Sequence, residues 1–244
     1  MGWTLITGGT RGIGAAIARR LAAAGHDLVL GYRSDEDAAA ATAAEVRSCG
    51  VRCQTVRADL AEPDGVERLF GAVSEQLTGV VNNAGATYRY APLAQTPVEE
   101  IRRTVEVNLT APLLVARAAV LAMSTTYGGA GGVLLNISSG AATLGSPGEY
   151  VHYAAAKAGV DAFTRGLGLE VADQGIRVVG VAPGLVDTDL HAATGDADRV
   201  ERMAAAIPLR RAAEGAEIAG AVAWLMSDEA GYVTATTLRV AGGR

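Results

Sequence analysis

Tyr153 and Lys157 stand four residues apart in the stretch Tyr153-Ala154-Ala155-Ala156-Lys157. On a helix that spacing places both side chains on one face. An ammonium beside a phenol lowers the phenol pKa from its reference of about 10. The tyrosine then becomes a proton donor and acceptor usable near neutral pH. Four residues after Tyr150 stands Ala154 rather than a lysine. Asn136-Ile137-Ser138-Ser139 closes an apolar run, and a hydroxyl at the carboxyl end of a strand can hydrogen-bond a substrate oxygen. These residues could support proton-transfer chemistry.

A second constellation suits a phosphate. An apolar run stops at Thr7 and is followed by Gly8, Gly9, Thr10, Arg11, Gly12, Ile13 and Gly14, after which an alanine-rich helical pattern begins. A glycine turn between strand and helix lets a pyrophosphate approach backbone N–H groups and the helix N-terminus, where a Cβ would push it away. Val80-Val81-Asn82-Asn83-Ala84-Gly85 ends a further strand, and its polar residues are placed to support the first loop.

Strands alternating with helices must position these groups. Strands are expected at 3–7, 27–32, 51–57, 79–82, 132–138, 176–182 and 237–240. Helices are expected at 12–24, 35–49, 63–76, 98–123, 151–173 and 216–226. Strict alternation with right-handed crossovers predicts an α/β fold, a Rossmann-type doubly wound parallel sheet with helices on both faces. Thr96-Pro97-Val98-Glu99 reads as a capping box with proline at the first helical position. Ser34-Asp35-Glu36-Asp37 is a weaker version. The glycines at 128–132 read as a flexible surface turn, and those at 242–243 as a tail. No linker divides the chain, so residues 1–244 are expected to form one domain.

Composition narrows the function. Half of the 244 residues are hydrophobic, and the net charge is −5 with no basic cluster, which disfavours nucleic acid. Cys49 and Cys53 fit neither CxxC nor a disulfide framework and are expected to be buried or half-buried thiols. The three histidines are scattered, so no metal site is expected. No apolar run approaches the ~18 residues of a membrane span, and a cytoplasmic protein is expected.

Taken in order, these motifs resemble the short-chain dehydrogenase/reductase family over essentially the whole chain. Thr7, Gly8, Gly12 and Gly14 match its cofactor loop, and Asn82-Asn83-Ala84-Gly85 its NNAG element. Asn108, a serine at 138–139, Tyr153 and Lys157 match its catalytic set. Pro183-Gly184-Leu185-Val186-Asp187-Thr188 matches its PG-x-V-x-T segment. Relatives usually carry a glycine six residues after the catalytic serine; Gly145 stands six beyond Ser139, which favours Ser139 over Ser138. The interval to Tyr153 is then one residue longer than usual, which places an insertion within 146–152. Two tail departures stand out: Ala235 where relatives show glycine, and Ala241 where they show an acid.

The resemblance implies reduction of a small-molecule carbonyl. Tyr153 would be the general acid and Ser139 a hydrogen-bond donor. Lys157 would hold the nicotinamide ribose, and Asn108 would kink its helix and anchor a water. Asp59-Leu60 would lie near the adenine and Thr188 near the carboxamide. The second strand ends Gly31-Tyr32-Arg33-Ser34 without an acid, and Arg33 with Arg11 suits a 2′-phosphate, so NADPH is expected over NAD. Residues 189–211 would form a substrate lid. The nearest branch resembles the 3-oxoacyl-carrier-protein reductases, and the family implies a homo-oligomer, a tetramer or a dimer. Two alternatives stand beside this reading. One is an NADP(H)-binding sensor or scaffold without turnover; the other is an alcohol or sugar dehydrogenase working in the oxidative direction.

Overall fold

The computed structural model describes residues 2–187 and 203–244. Four consecutive buried residues, Trp3–Ile6, form β1, which ends in the glycine turn. Helix α1 (Gly12–Ala23) follows, then β2 (Asp27–Tyr32), α2 (Glu36–Ser48), β3 (Cys53–Arg57), α3 (Gly65–Gly71) and β4 (Leu77–Asn82). Next come α4 (Val98–Val105), α5 (Ala111–Met123), β5 (Gly132–Ile137), α6 (Ala141–Leu144), α7 (Val151–Glu170) and β6 (Ile176–Pro183). Helix α8 (Gly215–Met226) and β7 (Thr236–Val240) complete the order.

The seven strands form one parallel sheet in the order β3-β2-β1-β4-β5-β6-β7. Near-continuous Val, Leu and Ile runs in β1, β4, β5 and β6 are buried on both faces, as a sheet covered by helices on both sides requires. One apolar cluster lies under α1 and α8 and centres on Ile6, Ile17, Leu30 and Leu135. The other lies under α5 and centres on Leu5, Val80, Leu134 and Met123. The strand order reverses between β2-β1 and β4, so the loops after β1 and β4 open a crevice at the carboxyl edge.

Several local expectations fail for physical reasons. Helix α3 stops at Gly71 rather than running to 76, because the carbonyl of Gln76 accepts the N–H of Trp3 (2.8 Å) and Glu75 is bound by Arg52. The capping box at Thr96 does not form. Thr96 Oγ1 donates to Pro92 O (3.2 Å) instead, and Pro97 takes the cap position without a side-chain bond. Asp35 does cap α2, accepting from Ala38 N at 3.0 Å. A true capping box that the sequence reading did not mark joins Glu214 and Glu217 at the start of α8. The glycines at 128–132 are not a loose turn. A Cβ at Gly129 would lie 2.3 Å from the Met123 backbone, and one at Gly132 2.2 Å from Thr78 O.

Cys53 is buried, and burial pushes its thiol up to about 11, whereas Cys49 is exposed rather than half-buried. The helical run 98–123 is long and apolar enough to cross a membrane by length and composition, contrary to expectation. In the fold its residues Ala111, Val115, Ala119 and Met123 are packed against the sheet.

Candidate active site

The loop after β1 is held by the residues that follow β4. Thr7 Oγ1 accepts the backbone N–H groups of Asn83 and Ala84, both at 2.9 Å. The Asn83 side-chain amide donates to Thr7 O (2.9 Å) and Gly8 O (3.0 Å). Gly8 and Gly12 have φ of 61° and 50°, the left-handed region open to glycine. A Cβ on Gly14 would lie 2.0 Å from Gly8 O. The result is an open backbone cradle at the N-terminus of α1, whose first N–H groups point out of the helix. Its shape and donor chemistry fit a dinucleotide pyrophosphate.

The cradle is one end of a cleft of about 910 Å³. Gly8, Thr10, Arg11, Gly12, Ile13 and Gly14 line it, as do Tyr32, Arg33 and Ser34 at the end of β2. Asp59 and Leu60 stand on the next wall, with the Asp59 carboxylate accepting Ala61 N at 3.1 Å. Asn83, Ala84 and Gly85 form the floor, and Pro183, Gly184 and Val186 come from the end of β6. Pro183 O accepts Gly140 N (2.7 Å), which ties the ends of β6 and β5 together. Thr188 and the portion of the lid at 189–202 lie outside the described residues. Of the remainder, Met203 lines the cleft, Ile207 is buried and Leu209 is exposed. The C-terminal residues fold back rather than trail. Leu209 N donates to Gly242 O (3.1 Å), and Ala241 and Arg244 line the cleft.

Ser139, Tyr153 and Lys157 meet at the far end of the cleft. Helix α7 carries Tyr153 and Lys157 one turn apart, with the lysine nitrogen 5.9 Å from the centre of the phenol ring. Lys157 is buried and donates to Ile137 O at 2.8 Å. Burial draws its ammonium down to about 8, with the carboxylate of Asp161 acting in the opposite direction. Ser139 Oγ accepts Ala141 N (3.1 Å) and faces Tyr153. Ser138 turns into the core, where its Oγ donates to Lys157 O at 3.3 Å. One expectation is reversed here. Burial raises the Tyr153 pKa above that of an ordinary phenol; Tyr150 and Tyr90 push the same way, and a hydrogen bond with Ser139 works against them. Desolvation therefore dominates in the ligand-free protein.

Asn108 is fully buried and does not line the cleft. Residues Glu106–Thr110 form a π-helical segment between α4 and α5, a departure from α geometry centred on this asparagine. Its side-chain amide donates to Thr104 O (2.9 Å) and Ala86 O (2.8 Å), and its oxygen accepts Ala86 N (3.1 Å). A Cβ on Gly85 would lie 2.9 Å from Asn108 Oδ1 and 3.5 Å from Lys157 Nζ, so Gly85 brings the two together.

Sequence reasoning missed two groups. A buried polar chain runs from Asn82 through Asn136 (3.2 Å) to Thr164 (2.9 Å), joining β4, β5 and α7. Tyr90 and Tyr150 pack beside Tyr153. Tyr150 was passed over because no lysine follows it one turn on. Among the described residues no group of three or more His, Cys, Asp or Glu could hold a metal ion.

A nucleotide cradle at a parallel-sheet switch point, continuous with a Ser–Tyr–Lys cluster, defines a dinucleotide-dependent oxidoreductase. The family model described as enoyl-(acyl carrier protein) reductase matches residues 8–244. An uncharacterized oxidoreductase, YgfF of Escherichia coli K12, is 40% identical over 247 residues, with all of both chains covered. A 3beta-hydroxysteroid dehydrogenase of Eggerthella lenta is 38% identical over 243 residues, covering 98% of this chain and 92% of that one. A short-chain dehydrogenase from Burkholderia cenocepacia in complex with NADP superposes with a TM-score of 0.89 at 31% identity, covering 99% and 97% of the two chains. The chain belongs to the short-chain dehydrogenase/reductase family and has its Rossmann-type fold.

Proposed function

We propose that the protein is an NADPH-dependent reductase that converts a carbonyl of a small molecule to an alcohol. The observation that carries this reading is the convergence of Ser139, Tyr153 and Lys157 where the nucleotide cradle opens into the rest of the cleft. A bound reduced nicotinamide supplies the hydride. Tyr153 gives its proton to the carbonyl oxygen as negative charge develops there, and Ser139 donates a hydrogen bond to the same atom. Lys157 holds the ribose and, once ligand fills the cleft, restrains the phenol pKa. Asn108 fixes the backbone at Ala86, and with it the wall beside Lys157. In the ligand-free protein burial keeps Tyr153 protonated at neutral pH, and the same phenol can serve hydride transfer in either direction.

Arg11 in the glycine turn and Arg33 just after β2, with no acid at Gly31 or Tyr32, support NADPH over NAD. Exposed Leu113, Leu114 and Leu121 on α5 and Leu169 on α7 support a homo-oligomer, with the tetramer first and the dimer second. The compartment we propose is the cytoplasm. A 3-oxoacyl thioester, the substrate class of the resembling branch, is one class to test.

The test is NADPH oxidation with an acetoacetyl thioester beside simple ketones and diketones, with Tyr153→Phe as blank. The expected result is turnover that the variant lowers by ~10²–10⁴-fold while it retains NADPH binding. NADPH binding without turnover of any carbonyl would favour a sensor or scaffold.

A further inference from the structure

We propose that Tyr90 and Tyr150 form a preset aromatic wall that selects uncharged ketones whose carbonyl lies in, or next to, a ring; this rests on the reading of Tyr153 as general acid. The Tyr150 ring stands edge-on to Tyr153, with centroids 5.2 Å apart and planes at 83°. Tyr90 lies tilted against Tyr150, with centroids 4.9 Å apart. All three rings line the cleft. A carbonyl oxygen between the hydroxyls of Tyr153 and Ser139 leaves the carbon substituents facing Tyr150 first and Tyr90 beyond it.

The wall is fixed before any ligand arrives. Its two halves come from separate loops, one after β4 and one after α6, and a backbone bond from Ala91 N to Glu149 O (2.8 Å) ties them. The second loop is tightly coiled. Gly145, Ser146 and Gly148 all have positive φ (71°, 45° and 77°), and the N–H groups of Glu149 and Tyr150 both reach Ser146 O at 3.3 Å. Ser146 is a non-glycine residue in the left-handed region, the kind of local strain that persists where surrounding structure imposes it. This loop contains the residue by which the serine–tyrosine interval exceeds the usual one, and its coil presents Tyr150 to Tyr153.

The surface near the wall combines apolar side chains with the charged Glu149 and Arg103, which also line the cleft. Leu144 is 45% exposed at the cleft, and Pro147 and Met203 also line it. Among the charged groups nearby, Arg103 lies over the Tyr88 ring, 4.9 Å from its centroid. Aromatic rings pair best with other rings, offset or edge-on. A rigid ring also loses no chain freedom against a rigid wall, whereas an acyl chain must freeze its rotors. Both effects favour a ring ketone over a linear one.

The experiment compares kcat/KM for 1-tetralone and cyclohexanone with 2,3-butanedione and acetoacetyl-N-acetylcysteamine. The wild-type protein is expected to prefer 1-tetralone to butanedione by about tenfold, the upper end of what one good aromatic contact supplies. Tyr150→Ala and Tyr90→Ala should each erode that ratio by roughly fivefold, mainly through KM, and Tyr150→Phe should keep it. Butanedione turnover reports that each variant is folded. A wild-type preference for the thioester or butanedione, or a ratio indifferent to both alanine variants, overturns the wall and leaves the reductase standing. If no carbonyl turns over, saturation-transfer NMR with 1-tetralone and NADP+ decides. Binding lost in Tyr150→Ala keeps the wall and removes the reductase, and no binding removes both.

Discussion

The Arg11 guanidinium stands 3.4 Å from the Asp35 carboxylate at the mouth of the nucleotide cradle. Asp35 also caps α2, so one carboxylate serves both the helix and the arginine. Both side chains are well exposed, and such pairs contribute about 0–1 kcal/mol. A phosphate can therefore recruit Arg11 at little cost. Arg33 is exposed beside it and has no ion-pair partner among the described residues. Arg33→Ala is expected to weaken NADPH binding by ~10–100-fold, the loss of a charge-assisted contact, with NADH affected about twofold or less. Asp35→Asn keeps a capping oxygen, frees Arg11 and should tighten NADPH severalfold. Equilibrium titration of both cofactors checks these values, and equal effects of Arg33→Ala on the two would refute the 2′-phosphate role.

Gly85→Ala probes the centre of the site without touching a reacting group. The added Cβ would press on Asn108 Oδ1 at 2.9 Å and approach Lys157 Nζ at 3.5 Å. The expected outcome is a fall in kcat of about tenfold or more, since displacing positioned groups by tenths of an ångström is costly, with melting temperature little changed. Gly14→Ala, whose Cβ would sit 2.0 Å from Gly8 O, should instead lose dinucleotide binding and about 1–3 kcal/mol of stability.

Lys157 makes a pH-dependent contribution to folding. Its pKa is about 8 in the folded protein against an ordinary 10.5. Between those values the unfolded chain holds more protons, so this group's contribution makes stability rise with pH across that window. Below it, the folded protein carries a buried ammonium. Lys157→Met is therefore expected to stabilise the ligand-free protein at neutral pH by about 1–2 kcal/mol, a few degrees in Tm, while abolishing turnover. The gain should vanish at alkaline pH. Denaturant melts at two pH values measure it, and a destabilised variant at neutral pH would contradict it.

Ala235 has φ of +56° and touches Gly168, where a Cβ would meet the Ala235 backbone at 2.7 Å. Left-handed alanine costs about 1–2 kcal/mol, and glycine there returns part of that gain through the unfolded chain. Ala235→Gly should stabilise the protein by about 0.5–1 kcal/mol, read from the midpoint of a urea transition.

Ala235 also shows what the sequence made legible. Its place where relatives carry glycine marked a departure, and the positive φ supplies the physical reason. The alternation of apolar runs with helical periods was readable because burial on both faces imposes it. The glycine turn was readable because its backbone conformation excludes other residues. What escaped was set by distant partners. Trp3 ends α3 by taking the carbonyl of Gln76, and no local signal near 72–76 announces it. Tyr90 meets Tyr150 only because two loops some sixty residues apart are bonded through Ala91 and Glu149. The Tyr153 pKa depends on desolvation by that whole assembly, and a lysine one turn away could not predict its direction.

The clamp from Asn83 to Thr7 and Gly8 also sets when the protein becomes competent during its synthesis. The bond from Asn83 N to Thr7 spans 76 residues, and β1 has β4 as one of its two neighbours. At ~5–20 residues per second, the nascent glycine turn waits several seconds for its support. Strands β1, β2 and β3 can pair in that interval, but one edge of β1 stays open until β4 emerges. The cradle therefore lacks its Asn83 support until the fourth strand has docked, and until then one edge of β1 is an unpaired strand edge.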